Sequence, residues 1–89
     1  MIRDDIRNEI QYCITYSRGF EYLDKNTFVF EFGDGKFVDE DNEPCFYYIE
    51  YHLDTNEWVF QKWYEDEICN AGLTSDEEQY IIAVVKRLM

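Results

Sequence analysis

The single histidine and the three cysteines are the first residues to weigh for chemistry. A thiol becomes a nucleophile when a histidine can take its proton, and Cys45 is the cysteine nearest in sequence to His52. Both fall in a stretch that reads as one strand. Their separation is odd, so the two side chains point to opposite faces. Cys13 and Cys69 can approach His52 only through tertiary structure. The three cysteines lack metal-ligand spacing and cannot all pair within one chain. They read as reduced thiols at core or edge positions of a cytosolic protein.

Carboxylates are the other chemically capable group. Asp39, Asp41, Glu43 and Glu50 occupy positions 1, 3, 5 and 12 of an EF-hand-like loop. Pro44 stands where such a loop needs its turn glycine, and the second half reads as strand, so no calcium site is expected. The chain has no phosphate-binding loop, dinucleotide fingerprint or nucleophile elbow. No cofactor is implied, and the expectation is a binding protein, not an enzyme.

What the carboxylates do offer is a field. The net charge is -12. Between Glu31 and Glu78, 15 acids face only Lys36 and Lys62, a balance of -13, while the rest of the chain is nearly neutral. Many of these acids fall in three connections, 39–43, 54–57 and 65–67. Loops are where binding residues concentrate, and like charges held together lower stability. The candidate partner-binding residues are therefore Asp39, Glu40, Asp41, Glu43, Asp54, Glu57, Glu65, Asp66 and Glu67. Free nucleic acid and anionic membranes are disfavoured, because both demand a basic surface. A basic protein is the natural counterpart. Alternate strand residues lie roughly 6.7 Å apart, against about 3.4 Å per nucleotide along one strand of a duplex. Carboxylates on successive strand ends can thus meet arginines and lysines that ordinarily grip phosphates. Tyr47, Tyr48, Tyr51, Trp58, Trp63 and Tyr64 are candidate apolar anchors for such an interface. The competing reading is that the acids serve solubility and the aromatics pack the core.

The elements that position these groups follow from periodicity. Residues 1–89 make one domain. A composition 46% hydrophobic and 19% aromatic argues for a packed core despite the charge. Ile2, Ile6, Ile10, Cys13 and Ile14 form one stripe of a helix running to Tyr16, with Gly19 as its expected stop. Phe20–Leu23 reads as a short extended piece. Residues 27–32 read as a strand with Phe28, Phe30 and Phe32 on one face, followed by a turn at Gly33-Asp34-Gly35 and a short strand from Lys36 to Val38. Cys45–Leu53 and Trp58–Tyr64 read as a hairpin pairing Leu53 with Trp58 and Tyr51 with Phe60. That register puts Phe46, Tyr48, Glu50, His52, Val59, Gln61 and Trp63 on a mixed, part-exposed face. Residues 68–73 suggest a short helical turn. Ser75 and Glu78 match a capping box for a helix ending near Leu88. The fold class expected is α+β: an N-terminal helix, a three- to four-stranded antiparallel sheet and a C-terminal helix, with both helices on one face.

The N-terminal residues MIRDDIRNEI lack the apolar core of a secretory signal, and no stretch approaches a membrane span; the expected location is cytoplasmic. In size, charge and simplicity the chain resembles the small acidic inhibitors that phages direct against host nucleases, including anti-CRISPR proteins and other DNA mimics. The resemblance spans the whole chain and carries no motif. It implies an inhibitor that binds the basic nucleic-acid-binding surface of a nuclease and blocks substrate access. Immunity proteins or antitoxins for a basic toxin share the profile. A structural or adaptor module using the aromatic sheet face is the reading of a different class. The oligomeric state stays open at this level.

Overall fold

The computed structural model describes all of residues 1–89. Its elements are helix α1 (Asp4–Tyr16), strands β1 (Phe20–Asp24), β2 (Thr27–Val38), β3 (Pro44–His52), β4 (Glu57–Trp63) and β5 (Ile68–Asn70), and helix α2 (Ser75–Leu88). The strands form one antiparallel sheet in sequence order. The α+β class and the two terminal helices match the expectation. The sheet has five strands, one more than the upper count read from the sequence.

Period-two alternation on the strands makes one face apolar, and the two helical stripes cover it. Ile6, Ile10 and Cys13 of α1 and Ile81, Val84 and Val85 of α2 pack with Phe28, Phe30, Phe32, Tyr47 and Ile49 in a single core. Both helices thus lie on the same side of the sheet. Burying aromatic and branched side chains contributes roughly 1.5–3 kcal/mol each, which is how so short a chain holds a fold. No helix is long and apolar enough to cross a membrane.

Several local expectations are corrected. Helix α1 ends at Ser17, which adopts the left-handed conformation at φ 53° and donates its N–H back into the last turn. Gly19 is needed for a different reason: a Cβ there would lie 2.2 Å from the Glu31 carbonyl oxygen, against which the chain passes to begin β1. The Gly33-Asp34-Gly35 stretch does not end a strand. Strand β2 runs through it with a bulge, its register jumping from Phe32 opposite Tyr47 to Phe37 opposite Cys45. Gly33 permits the bulge because the Phe37 ring folds over it, about 2 Å from where a Cβ would stand. The β3–β4 hairpin pairs His52 with Glu57 and Tyr51 with Trp58, two residues from the expected register. An even shift preserves the faces, so the expected facing of the hairpin residues survives. It moves Leu53 out of the strand into a turn closed by the Asn56 N–H donating to the His52 carbonyl at 2.7 Å. Residues 68–70 are strand, not helix, because Cys69 pairs with Lys62 on the edge of β4.

The capping box is shifted by one residue. Thr74 is the N-cap of α2, accepting from the Glu77 N–H, while Glu77 Oε1 accepts from the Thr74 N–H at 2.9 Å. Glu77 is also fully buried. Its second oxygen accepts from Arg3 Nε at 2.8 Å and from the Arg3 backbone N–H at 3.0 Å, and Arg3 Nη2 donates to Oε1 at 3.1 Å. The Thr74 hydroxyl donates to the Met1 carbonyl, and the amino terminus pairs with Asp76. This clasp joins the starts of the two helices.

Candidate functional site

Connections 39–43 and 65–67 meet at one end of the sheet, where β3 begins and β4 ends. There Asp34, Glu43, Glu65, Asp66 and Glu67 line an open cleft of about 700 Å³ with Phe46, Trp63 and Tyr64. The arrangement is built locally. The bulge in β2 presents Asp34 beside the start of β3. The alternation of β3 and β4 turns Phe46 and Trp63 outward as a cross-strand pair, their ring centroids 5.8 Å apart. Tyr48 stacks on Trp63 at 4.4 Å. Gln61 accepts from the Trp63 indole N–H at 3.0 Å. The aromatic floor is held in place before any partner arrives.

No lysine or arginine lines this cleft. The ion pairs of the molecule are the amino terminus with Asp76 and Arg3 with Glu77, and the His52 imidazole contacts Glu50. None of the nine nominated carboxylates is in an ion pair, although Lys62 acts on Asp39 from nearby.

The nine do not form one patch. Asp54 and Glu57 lie at the β3–β4 turn, the opposite end of a nine-residue strand from the cleft, or roughly 27 Å away at 3.4 Å per residue. That is a correction to the single acidic surface drawn from the sequence. Asp39 has local work. Its Oδ1 accepts from the N–H groups of Asp41 and Glu43, both at 2.9 Å. The Glu43 amide, aided by the Tyr64 hydroxyl and Lys62, holds its carboxyl below the usual range. In return, Tyr64 is pushed up to about 12 by burial and by Asp39. Asp39 therefore shapes the loop, with Asn42 in the left-handed conformation at φ 64°. Glu40 and Asp39 turn toward a smaller hollow shared with Arg3 and Lys62. Asp41 is exposed on the loop.

The candidate anchors also divide. Tyr47 is buried in the core, and Tyr51 and Trp58 stack at 4.3 Å on the helix-covered side. Tyr48 and Trp63 remain on the outer face with Phe46. Asp34 was not among the residues nominated from the sequence, because its flanking glycines read as a turn. Only the bulge brings it to the cleft.

His52 lies on the outer face of β3, with Nε2 2.6 Å from Glu50 Oε2; the Tyr48 hydroxyl donates to Glu50 Oε1 at 2.8 Å. Cys45 is buried at an inward position, consistent with the opposite facing expected of it and His52. Burial pushes the Cys45 and Cys13 thiols up, and the Glu67 carboxylate does the same to Cys69. A raised thiol has less thiolate and is a poorer nucleophile at neutral pH. Glu50 lies mid-strand, bonded to Tyr48 and His52 and apart from the 39–43 carboxylates. The arrangement is suited to holding a cationic, partly apolar surface. No protein-family model matches this chain, and neither a curated protein nor a solved structure is found similar to it.

Proposed function

We propose that the chain is an acidic inhibitor of the anti-CRISPR kind, which seats the cleft end of its sheet in the basic nucleic-acid-binding groove of a nuclease and blocks substrate by occupancy. The observation that carries this reading is the convergence of Asp34, Glu43, Glu65, Asp66 and Glu67, none ion-paired, around the aromatic floor of Phe46 and Trp63. Aromatic anchors supply affinity, and unneutralised carboxylates supply attraction and register. The same geometry supports an immunity protein acting on a basic toxin nuclease; a toxin gene beside this one would favour that version.

The test is cleavage by candidate nuclease effectors in the presence of the protein, with duplex displacement measured across a salt series. Inhibition is expected to weaken steeply between about 50 and 500 mM salt, as surface charges become screened within a few ångströms. Glu65→Lys/Asp66→Lys should abolish it, while Asp54→Lys/Glu57→Lys at the far turn should leave it nearly intact. Inhibition that ignores salt, or that survives the first pair and not the second, overturns the proposal.

A second reading, an adaptor module using the sheet face, is favoured by one observation: the outer face carries Phe46, Tyr48 and Trp63 and no helix covers it.

A further inference from the structure

We infer that the uncovered outer face of the sheet is a docking surface for a basic amphipathic helix of a partner protein. The inference rests on the proposed reading for the sign of the partner's charge, and extends it from the cleft onto the sheet.

Both helices of the chain pack against the opposite face, so the outward residues of all five strands lack a covering layer. None of the paired outward positions of the sheet is lysine or arginine; His52 is among them, and the exposed Lys36 lies on β2 past the bulge, beside Phe37. Across β3, β4 and β5 runs an apolar band made by Phe46, Trp63 and Ile68, the last 54% exposed, with Tyr48 buried against Trp63 beneath it. Acids flank it on two sides. Glu31 and Glu50 lie toward the middle of the sheet, and the cleft carboxylates lie at its end. From Phe46 to Glu50 along β3 is roughly 14 Å. A helix with its side chains is about 10–12 Å across. One helix laid along the band would put its apolar stripe on the aromatics and a cationic shoulder beside each acidic row, the helix-in-groove mode of recognition.

Charge excludes the other occupants. A second copy would set Glu31 and Glu50 against their own kind, which costs affinity. Nucleic acid bases stack on aromatics, yet the phosphates would meet these same carboxylates. Burial, with Asp34 and Glu21 nearby, pushes the Glu31 carboxyl up. An approaching guanidinium relieves that position.

The experiment uses the intact protein and a synthetic 18-residue helical peptide with leucines along one stripe and arginines on both shoulders. Affinity is read by calorimetry and the footprint by amide NMR shifts. Shifts are expected at outward residues of β2, β3 and β4 and at Ile68 of β5. Trp63→Ser and, at an exposed position, Glu31→Lys should each weaken binding at least tenfold. A peptide with glutamates on its shoulders should not bind. Failure of the arginine peptide to bind, or binding untouched by both variants, overturns the inference. So does a footprint confined to residues 39–43 and 65–67, although that result would leave the proposed inhibitor role standing. A dimer dissociated by Trp63→Ser, or an oligonucleotide bound on the same residues, assigns the face to another occupant and also overturns it.

Discussion

The molecule holds its carboxylates in two opposite ways, at the Glu77 clasp and at the cleft. Glu77 is fully buried and accepts four hydrogen bonds, three of them from Arg3. The cleft acids stand in solvent with no cation beside them. In sequence the two groups look alike, as short acidic runs beside a chain turn. Their physics differs because a buried charge must be compensated to exist at all, whereas an exposed one is compensated by water. The clasp therefore belongs to stability, and the cleft is available for recognition.

Removing the cation of the clasp has the largest expected effect. Arg3→Ala strands the Glu77 carboxylate in the interior, and losing one partner of a buried pair costs about 3–5 kcal/mol. Because the Arg3 side chain is itself nearly half exposed, the lower part of that range is expected. Urea unfolding at pH 7 measures it. A loss under 1 kcal/mol would mean that the clasp holds little of the fold.

The next effect is the acid limb of stability. Burial alone would raise the Glu77 carboxyl, but the Arg3 guanidinium and the Thr74 and Arg3 amides outweigh it and hold the group down to about 2. A carboxyl depressed in the folded state binds fewer protons there than when unfolded. Its contribution is complete above about pH 4.5 and is lost as pH falls toward 2. That contribution is on the order of 3 kcal/mol. Glu31 titrates with the opposite sign, since burial raises it, so a single curve mixes the two. The difference between wild type and Glu77→Gln isolates the clasp: it should be largest at pH 7 and shrink toward zero near pH 2. A difference that stays constant with pH would remove the titration argument.

These cases also show what the sequence made legible. Helical stripes and strand alternation located both helices and the main strands, because apolar periodicity is written residue by residue. Facing on the β3–β4 hairpin survived a wrong register, since an even shift changes partners without turning side chains over. The clasp was hidden. Thr74, Ser75, Glu77 and Glu78 offer two overlapping capping boxes, and only contact with Arg3, 74 positions earlier in the chain, selects one. The cleft was half legible. Runs 39–43 and 65–67 announce acidity, but nothing local reveals that a bulge adds Asp34 to them or that the strand length carries 54–57 away.

The smallest effect separates the two groups of acids most cleanly. Glu65 and Asp66 are exposed and have no ion-pair partner, so reversing them removes no folded-state bond and relieves repulsion from Asp34, Glu43 and Glu67. Glu65→Lys/Asp66→Lys should leave stability within about 0.5 kcal/mol of wild type, on the stabilising side. Salt gives an independent reading. Raising sodium chloride from about 10 to 500 mM shortens the Debye length from roughly 30 Å to a few ångströms. That change should raise the wild-type melting temperature more than the variant's. Equal salt responses would mean that the cleft acids do not feel one another, and the convergence seen in the fold would carry no electrostatic weight.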